Sequence, residues 1–284
     1  MKVSIHTLGC RVNQSESDII EANLKRAGWS ITDLSGHPDY CIINTCTVTA
    51  KSDYQSRQLI RRAVRAGAKV IVTGCYSQLR PEEIANIDGV VGIADSNDKF
   101  RIVSTLLNNN KRIDTFISDN RSRPYLKVQD GCNFACSYCA VPMARGRSSS
   151  IAVQEALRRA EEIESAGYNE IVITGIHLGS YGYDLSPKTK LSELLKTLLN
   201  NTKIPRIRLS SIQINNIDFE LIEILQEKRI CKHLHLPLQS GDDSILRLMK
   251  RTYSLKYYLS TLETIMKKVP DVSIGTDIIV GFPG

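Results

Sequence analysis

Cys132, Cys136 and Cys139 sit in the stretch DGCNFACSYCAVPMARGR, separated by three residues and then by two. Thiols at that spacing bend a short loop around one inorganic object. A structural zinc site closes with four protein ligands, and the next Cys or His along the chain is His177. A 4Fe–4S cluster usually takes four cysteines, so three thiolates leave one iron open to an outside ligand. An open iron is a reactive one.

Cys10, Cys46 and Cys75 form a second set, scattered in sequence but alike in context. Each follows an apolar, β-branched run: KVSIHTLG, YCIINT and KVIVTG. In an open parallel α/β sheet the carboxyl ends of the strands share one edge, where ligands bind. The alternative is three core cysteines, which are common. Core cysteines belong inside strands, as Cys41 does in DYCIIN; Cys231 is read in the same way. The three fall just past their strands, beside Gly9, Thr45 and Gly74, and favour a second open cluster.

The elements that must position these thiols follow from periodicity. Residues 1–112 alternate β-branched runs with helical patterns, as in SESDIIEANLKRAG and KSDYQSRQLIRRAVRAG. Ser15 is the expected N-cap of the first helix and Gly28 its stop. That alternation predicts an α/β domain built on an open parallel sheet. Residues 113–123 are polar and read as a linker. From 124 the rhythm restarts, with strands at YLKVQ, EIVITG, RIRLSS, HLHLPL and VSIGTDIIVG. Helices are expected at 151–166, 190–200, 218–228 and 243–269, the last broken near Tyr253. Successive βα units predict a partial barrel with the Cys132 loop at its carboxyl rim. Gly284 follows the fifth strand, so the barrel is expected to be incomplete, truncated where a loop should enter a helix.

The chain has 284 residues, 42% hydrophobic and 24% charged, with a net charge of +7. No apolar run approaches the ~20 residues that span a bilayer, and the start MKVSIHTLGC reads as a strand rather than a signal peptide. A cytoplasmic location is expected, where eight cysteines serve as ligands or buried thiols and not as disulfides. The positive balance fits a polyanionic partner such as RNA.

The Cys-x3-Cys-x-aromatic-Cys pattern, with Tyr138 as the aromatic, resembles the cluster loop of the radical S-adenosylmethionine (SAM) superfamily. Together with TLGCRVNQSESD, NTCTVTAKSD and VTGCYSQ, it resembles the methylthiotransferases over essentially the whole chain. TLGCRVNQSES and NTCTVTAKSD are most similar to the branch that acts on N6-threonylcarbamoyladenosine in tRNA. Other branches act on isopentenyl-type adenosine in tRNA or on an aspartate of a ribosomal protein.

The resemblance implies two 4Fe–4S clusters, on Cys132, Cys136 and Cys139 and on Cys10, Cys46 and Cys75. SAM bound at the first would yield a 5′-deoxyadenosyl radical that takes hydrogen from carbon-2 of the modified adenine beside the anticodon. The second would deliver sulfur, and a second SAM the methyl group. A reductase or flavodoxin-type protein is the implied electron donor, and no membrane is involved. Tyr138, Gly175, Ser211 and Gln239 are the candidate SAM-binding residues. Arg208, His235 and Ser240 join them at the rim, although Ser240 could instead cap the helix near Asp242. Arg145 and Arg147 are candidate contacts to RNA phosphate or the SAM carboxylate; the arginines of RQLIRRAVR read as a solvated face. The family's small RNA-gripping β-domain is expected to be absent from these residues, which predicts weak tRNA binding and poor solubility. A different class, a non-catalytic iron–sulfur electron carrier, would need a fourth protein ligand at each cluster.

Overall fold

Residues 1–96, 99–107 and 121–284 are described in this computed structural model. They divide into two compact units: Met1–Arg121 with Ala140–Gly146, and Ser122–Cys139 with Arg147–Gly284. The linker expected at 113–123 lies, up to residue 120, outside the described residues.

In the first unit five strands form one parallel sheet: β1 (Lys2–Thr7), β2 (Ser30–Ile31), β3 (Tyr40–Thr45), β4 (Lys69–Gly74) and β5 (Val90–Ile93). Their spatial order is β2-β1-β3-β4-β5. Helices α1 (Arg11–Arg26), α2 (Ala50–Arg65), α3 (Cys75–Leu79), α4 (Pro81–Ala85), α5 (Arg101–Leu106) and α6 (Val141–Arg145) complete it. Strand alternation splits the core between the two faces. Ile42 and Ile71 join Val3, Ile20, Leu24 and Ile102 on one side. Cys41, Ile43, Val70 and Val72 join Ile60 and Ala63 on the other. Burial of each such branched side chain contributes roughly 1.5–3 kcal/mol. Cys41 is the buried core thiol its position inside a strand implies, and burial pushes its pKa up to about 11.

The first helix starts four residues earlier than Ser15, directly after Cys10, with no side-chain cap on its first turn. Gly9, at φ +100°, turns the chain from β1 into the helix. Ser15 is buried within the helix. Gly28 ends the helical stretch as expected, at φ +83°.

The second unit contains β6 (Tyr125–Asp130), β7 (Ser149–Ser150), α7 (Val153–Ser165), β8 (Glu170–Gly175), α8 (Leu191–Asn201) and β9 (Arg206–Leu209). After these come α9 (Phe219–Ile224), β10 (His233–His235), α10 (Asp243–Leu248), α11 (Leu255–Lys268) and β11 (Ser273–Gly275). Strands β6, β8 and β9 pair in parallel, as do β10 and β11. Single parallel bridges from Ser211 to His235 and from Ile207 to Ile230 carry the curve from one group to the other. The α/β class and the partial barrel therefore agree with the sequence. Of VSIGTDIIVG only Ser273–Gly275 is strand, followed by one bridge from Gln239 to Ile278. The break near Tyr253 is real: α10 ends at Leu248, and Ser254 caps α11 by accepting from Tyr257 N at 3.2 Å.

Gly74 and Gly28 make contrasting stability tests. At Gly74 (φ +101°) an added Cβ would lie 2.3 Å from Thr45 O, whereas at Gly28 (φ +83°) it would meet nothing within 4 Å. Gly28→Ala should cost about 1 kcal/mol from backbone conformation alone. Gly74→Ala, in a region essentially reserved for glycine, should cost roughly 3 kcal/mol or more. Melting followed by the fluorescence of Trp29, the single tryptophan, should fall by about 4 °C and about 12 °C respectively.

Candidate functional site

Register brings Cys10, Cys46 and Cys75 to one sheet edge. Thr45 pairs with Gly74, so Cys46 and Cys75 leave adjacent strands at the same level. Thr7 pairs with Asn44, which places Gly9 beside Cys46. An added Cβ on Gly9 would lie 2.8 Å from Cys46 Sγ, so the turn before Cys10 admits only glycine. Asn13 Nδ2 donates to Leu8 O at 2.8 Å and Thr45 O at 2.9 Å, tying the two loops together. Thr45 Oγ1 donates to Thr73 O at 2.6 Å and fixes the third. Cys46 and Cys75 are buried and Cys10 is exposed. Burial pushes the Cys75 thiol up; Arg145 and Lys99 oppose that, and the Cys10 thiol adds to it.

Arg145 is not an exposed RNA contact. Its side chain is 1% exposed, and Nη1 donates to Glu16 Oε1 at 3.0 Å and Nη2 to Glu16 Oε2 at 3.2 Å. Nη2 also donates to Asn13 Oδ1, and Lys99 Nζ donates to the same Glu16 carboxylate. Breaking a buried pair of this kind costs roughly 3–5 kcal/mol. Arg147 is exposed. Arg61, Arg62 and Arg65 of α2 are exposed as a solvated face predicts, while Arg57 binds Tyr76 Oη at 2.8 Å.

In the second unit the loop after β6 carries Cys132, Cys136 and Cys139. Gln129 anchors its start: Nε2 donates to Asp130 O, Gly131 O and Ser148 Oγ, and Oε1 accepts from His177 N at 2.7 Å. The far side of the loop docks on the end of α10, whose last carbonyls lack helical partners. Ser137 N donates to Met249 O at 3.2 Å and Ser137 Oγ to Leu248 O at 2.8 Å. Donors also reach the sulfurs. Phe134 N lies 3.5 Å from Cys132 Sγ, and Arg251 Nη1 lies 3.4 Å from Cys136 Sγ and from Tyr138 Oη. Arg251 Nη2 is buried with no partner among the described residues, as expected where an anionic group is to be received.

Arg251 was not singled out from sequence. Lys250 adopts φ +55° after α10, and Arg251 N donates back to Leu246 O at 2.8 Å. This is the Schellman turn that usually announces itself by glycine, and a lysine there hides it.

The expected SAM-binding residues stand as follows. Gly175 closes on Gln129: an added Cβ would sit 2.9 Å from Gln129 Oε1. Burial pushes the Tyr138 phenol up to about 12. Ser211 Oγ is 2.6 Å from His235 Nδ1, and His235 Nε2 is 3.4 Å from Asp277 Oδ2. Gln239, at φ +72°, donates its N–H to Asp277 O at 2.9 Å. Arg208 departs from the rim group, because its guanidinium runs to Glu170, at the start of β8, at 2.6 Å. Asp242, not Ser240, caps α10. At the ends of β8 and β9, Thr174 Oγ1 and Ser210 Oγ are buried without partners among the described residues.

Residues 126–284 match the radical SAM superfamily, and residues 2–94 match uncharacterized protein family UPF0004. The threonylcarbamoyladenosine tRNA methylthiotransferase of Bacillus subtilis is 38% identical, over 99% of this chain and 67% of its own length. That of Aquifex aeolicus is 38% identical over 100% of this chain and 74% of its own. The chain belongs to the radical SAM methylthiotransferase family. Another relative, the tRNA-2-methylthio-N(6)-dimethylallyladenosine synthase of Fervidobacterium nodosum, is 32% identical over 100% of this chain and 70% of its own length. Among solved structures, the radical SAM methyltransferase TsrM of Kitasatospora setae matches with TM-score 0.69 and 14% identity, covering 100% of this chain and 70% of that one, a likeness of fold.

A radical SAM fold implies SAM and a 4Fe–4S cluster, and the Cys132 loop fits one. Among the described residues no three Cys, His, Asp or Glu side chains converge on a point, as a single metal ion requires. A cubane instead takes each thiolate at a separate iron, and backbone N–H and guanidinium donors to sulfur favour thiolate ligands. No helix among the described residues is long and apolar enough to cross a membrane.

His177 stacks on Phe134 of this loop, with ring centroids 4.8 Å apart, and its Nδ1 bonds Ser180 Oγ. Burial lowers its pKa below the ordinary 6.5, against a nearby Gln213 that raises it. As pH falls through 6.5 the unfolded chain therefore binds the proton first, and stability is lost until the folded imidazole titrates. Protection factors of the β8 amides, with the pH dependence of intrinsic exchange divided out, should fall from about pH 7 to about pH 5, and His177→Gln, which has no proton to gain, should flatten that dependence.

Proposed function

We propose that this protein converts N6-threonylcarbamoyladenosine beside the tRNA anticodon to its 2-methylthio derivative. The observation that carries this is 38% identity, along 99% or more of the chain, to proteins named for that reaction. Cys132, Cys136 and Cys139 would hold the SAM-binding 4Fe–4S cluster, and Cys10, Cys46 and Cys75 a second one. When bound, these groups supply the electron that cleaves SAM to a 5′-deoxyadenosyl radical, and the sulfur.

The chain's own residues bind and orient. Arg251 holds Cys136 and Tyr138 in fixed relation and keeps a buried donor for an anionic group such as the SAM carboxylate. Gln129 sets the loop against Gly175, where the absence of a side chain lets β6 and β8 meet. Ser211 and Gln239 line the strand ends where the adenosyl and substrate groups would sit. Asn13 and Thr45 keep the three thiols of the first unit at one edge. A flavodoxin-type protein or reductase would be the electron donor, and the tRNA substrate puts the enzyme in the cytoplasm.

Replacing one cysteine set at a time separates the half-reactions. With Cys132, Cys136 and Cys139 changed to Ala, reconstituted protein should bind about four irons instead of about eight and form no 5′-deoxyadenosine. With Cys10, Cys46 and Cys75 changed to Ala, SAM cleavage should persist while no methylthiolated nucleoside appears. Loss of both activities in the second variant would reduce those cysteines to a structural role.

A further inference from the structure

Arg145 follows the radical SAM cysteine loop in sequence yet belongs to the first unit, with its side chain 1% exposed. No RNA phosphate reaches a group so enclosed. Its surroundings show another task. The two Nη atoms hold both oxygens of Glu16, at 3.0 Å and 3.2 Å, a forked contact that lysine cannot reproduce. Nη2 also donates to Asn13 Oδ1, and the same Asn13 amide clamps Leu8 O and Thr45 O. Those carbonyls lie just ahead of Cys10 and Cys46, so one asparagine sets the guanidinium and two of the thiol-bearing loops together. Arg145 ends α6, which packs on α3, the helix that Cys75 begins, and its charge, with that of Lys99 held on the same Glu16, favours the Cys75 thiolate against burial.

We propose that Arg145, fixed by Glu16 and Asn13, is a positioning residue that sets the charge of the Cys10–Cys46–Cys75 site and stabilises the electron-rich form of the cluster held there. This rests on the reading of that cysteine set as a second cluster site. Net local charge and hydrogen bonds to the sulfurs are the levers by which a protein sets a cluster's reduction potential. Glu16 works in the opposite sense: it holds the cations and offsets part of their field.

The test is a redox titration, followed by electron paramagnetic resonance, of the reconstituted chain carrying Cys132, Cys136 and Cys139 changed to Ala, so that only the first unit's cluster loads. Arg145→Met should disfavour reduction by roughly tenfold, ~59 mV more negative for a one-electron couple. Arg145→Lys, which keeps the charge, should recover most of that shift. Glu16→Gln should move the potential the other way. Loosened structure alone would not give shifts of opposite sign. If Arg145→Met fails to load iron, Glu16→Gln decides: a potential that moves positive supports the proposal, and one that moves negative or stays unmoved overturns it. An Arg145→Met protein that holds iron with an unmoved potential, or Arg145 and Glu16 variants that shift in the same direction, would overturn the proposal. A parent protein that binds no iron would overturn the second-cluster reading, and this proposal with it, before Arg145 is touched.

Discussion

The parallel, in-register pairing of β1, β3 and β4 is the constraint on which the first site depends. Because Thr7 aligns with Asn44 and Thr45 with Gly74, three thiols remote in sequence leave the sheet at one edge. Slipping a strand by one residue would turn its whole apolar set to the wrong face, so the core of the sheet also fixes the cysteines. Asn13, Asn44 and Thr45 then supply the hydrogen bonds that loop backbone at the edge cannot find in the ladder. The glycines at 9 and 74 let neighbouring backbones approach where any side chain would collide.

The second site is built by a different device. Its three thiols lie in one loop, so their proximity is covalent, and what the fold must supply is orientation. Gln129 fixes the beginning of the loop, while Ser137 binds the orphan carbonyls of α10 and fixes its later half. The helix end that docks the loop also ends in the turn that aims Arg251 at Cys136. Helix termination and ligand geometry are thus one piece of structure.

Much of this was legible in the sequence because it resides in spacing. The cysteine loop, the thiols just past strand ends and the βα rhythm are short-range patterns, and the strands and helices followed them to within a few residues at most ends. What was hidden depends on partners distant in sequence. Arg208 looks like a rim residue by alternation, but a long side chain can run back along the sheet to Glu170. The first helix begins at Arg11 instead of beyond Ser15 because a glycine turn and Asn13, not a hydroxyl cap, organise its entry. Arg145 sits in a motif that reads as one continuous loop, yet its partners are Glu16 and Asn13 in the first unit. Arg251 escaped because Lys250, not glycine, adopts the left-handed turn before it.

The two cysteine sites are proposed to serve one methylthiolation of tRNA. Mass spectrometry of nucleosides from tRNA treated with reconstituted enzyme, SAM, reductant and sulfide tests it most directly. The threonylcarbamoyladenosine peak should convert to its 2-methylthio derivative while isopentenyladenosine is left unchanged. Methylthiolation of isopentenyladenosine instead, or 5′-deoxyadenosine formation with every nucleoside unaltered, would contradict it.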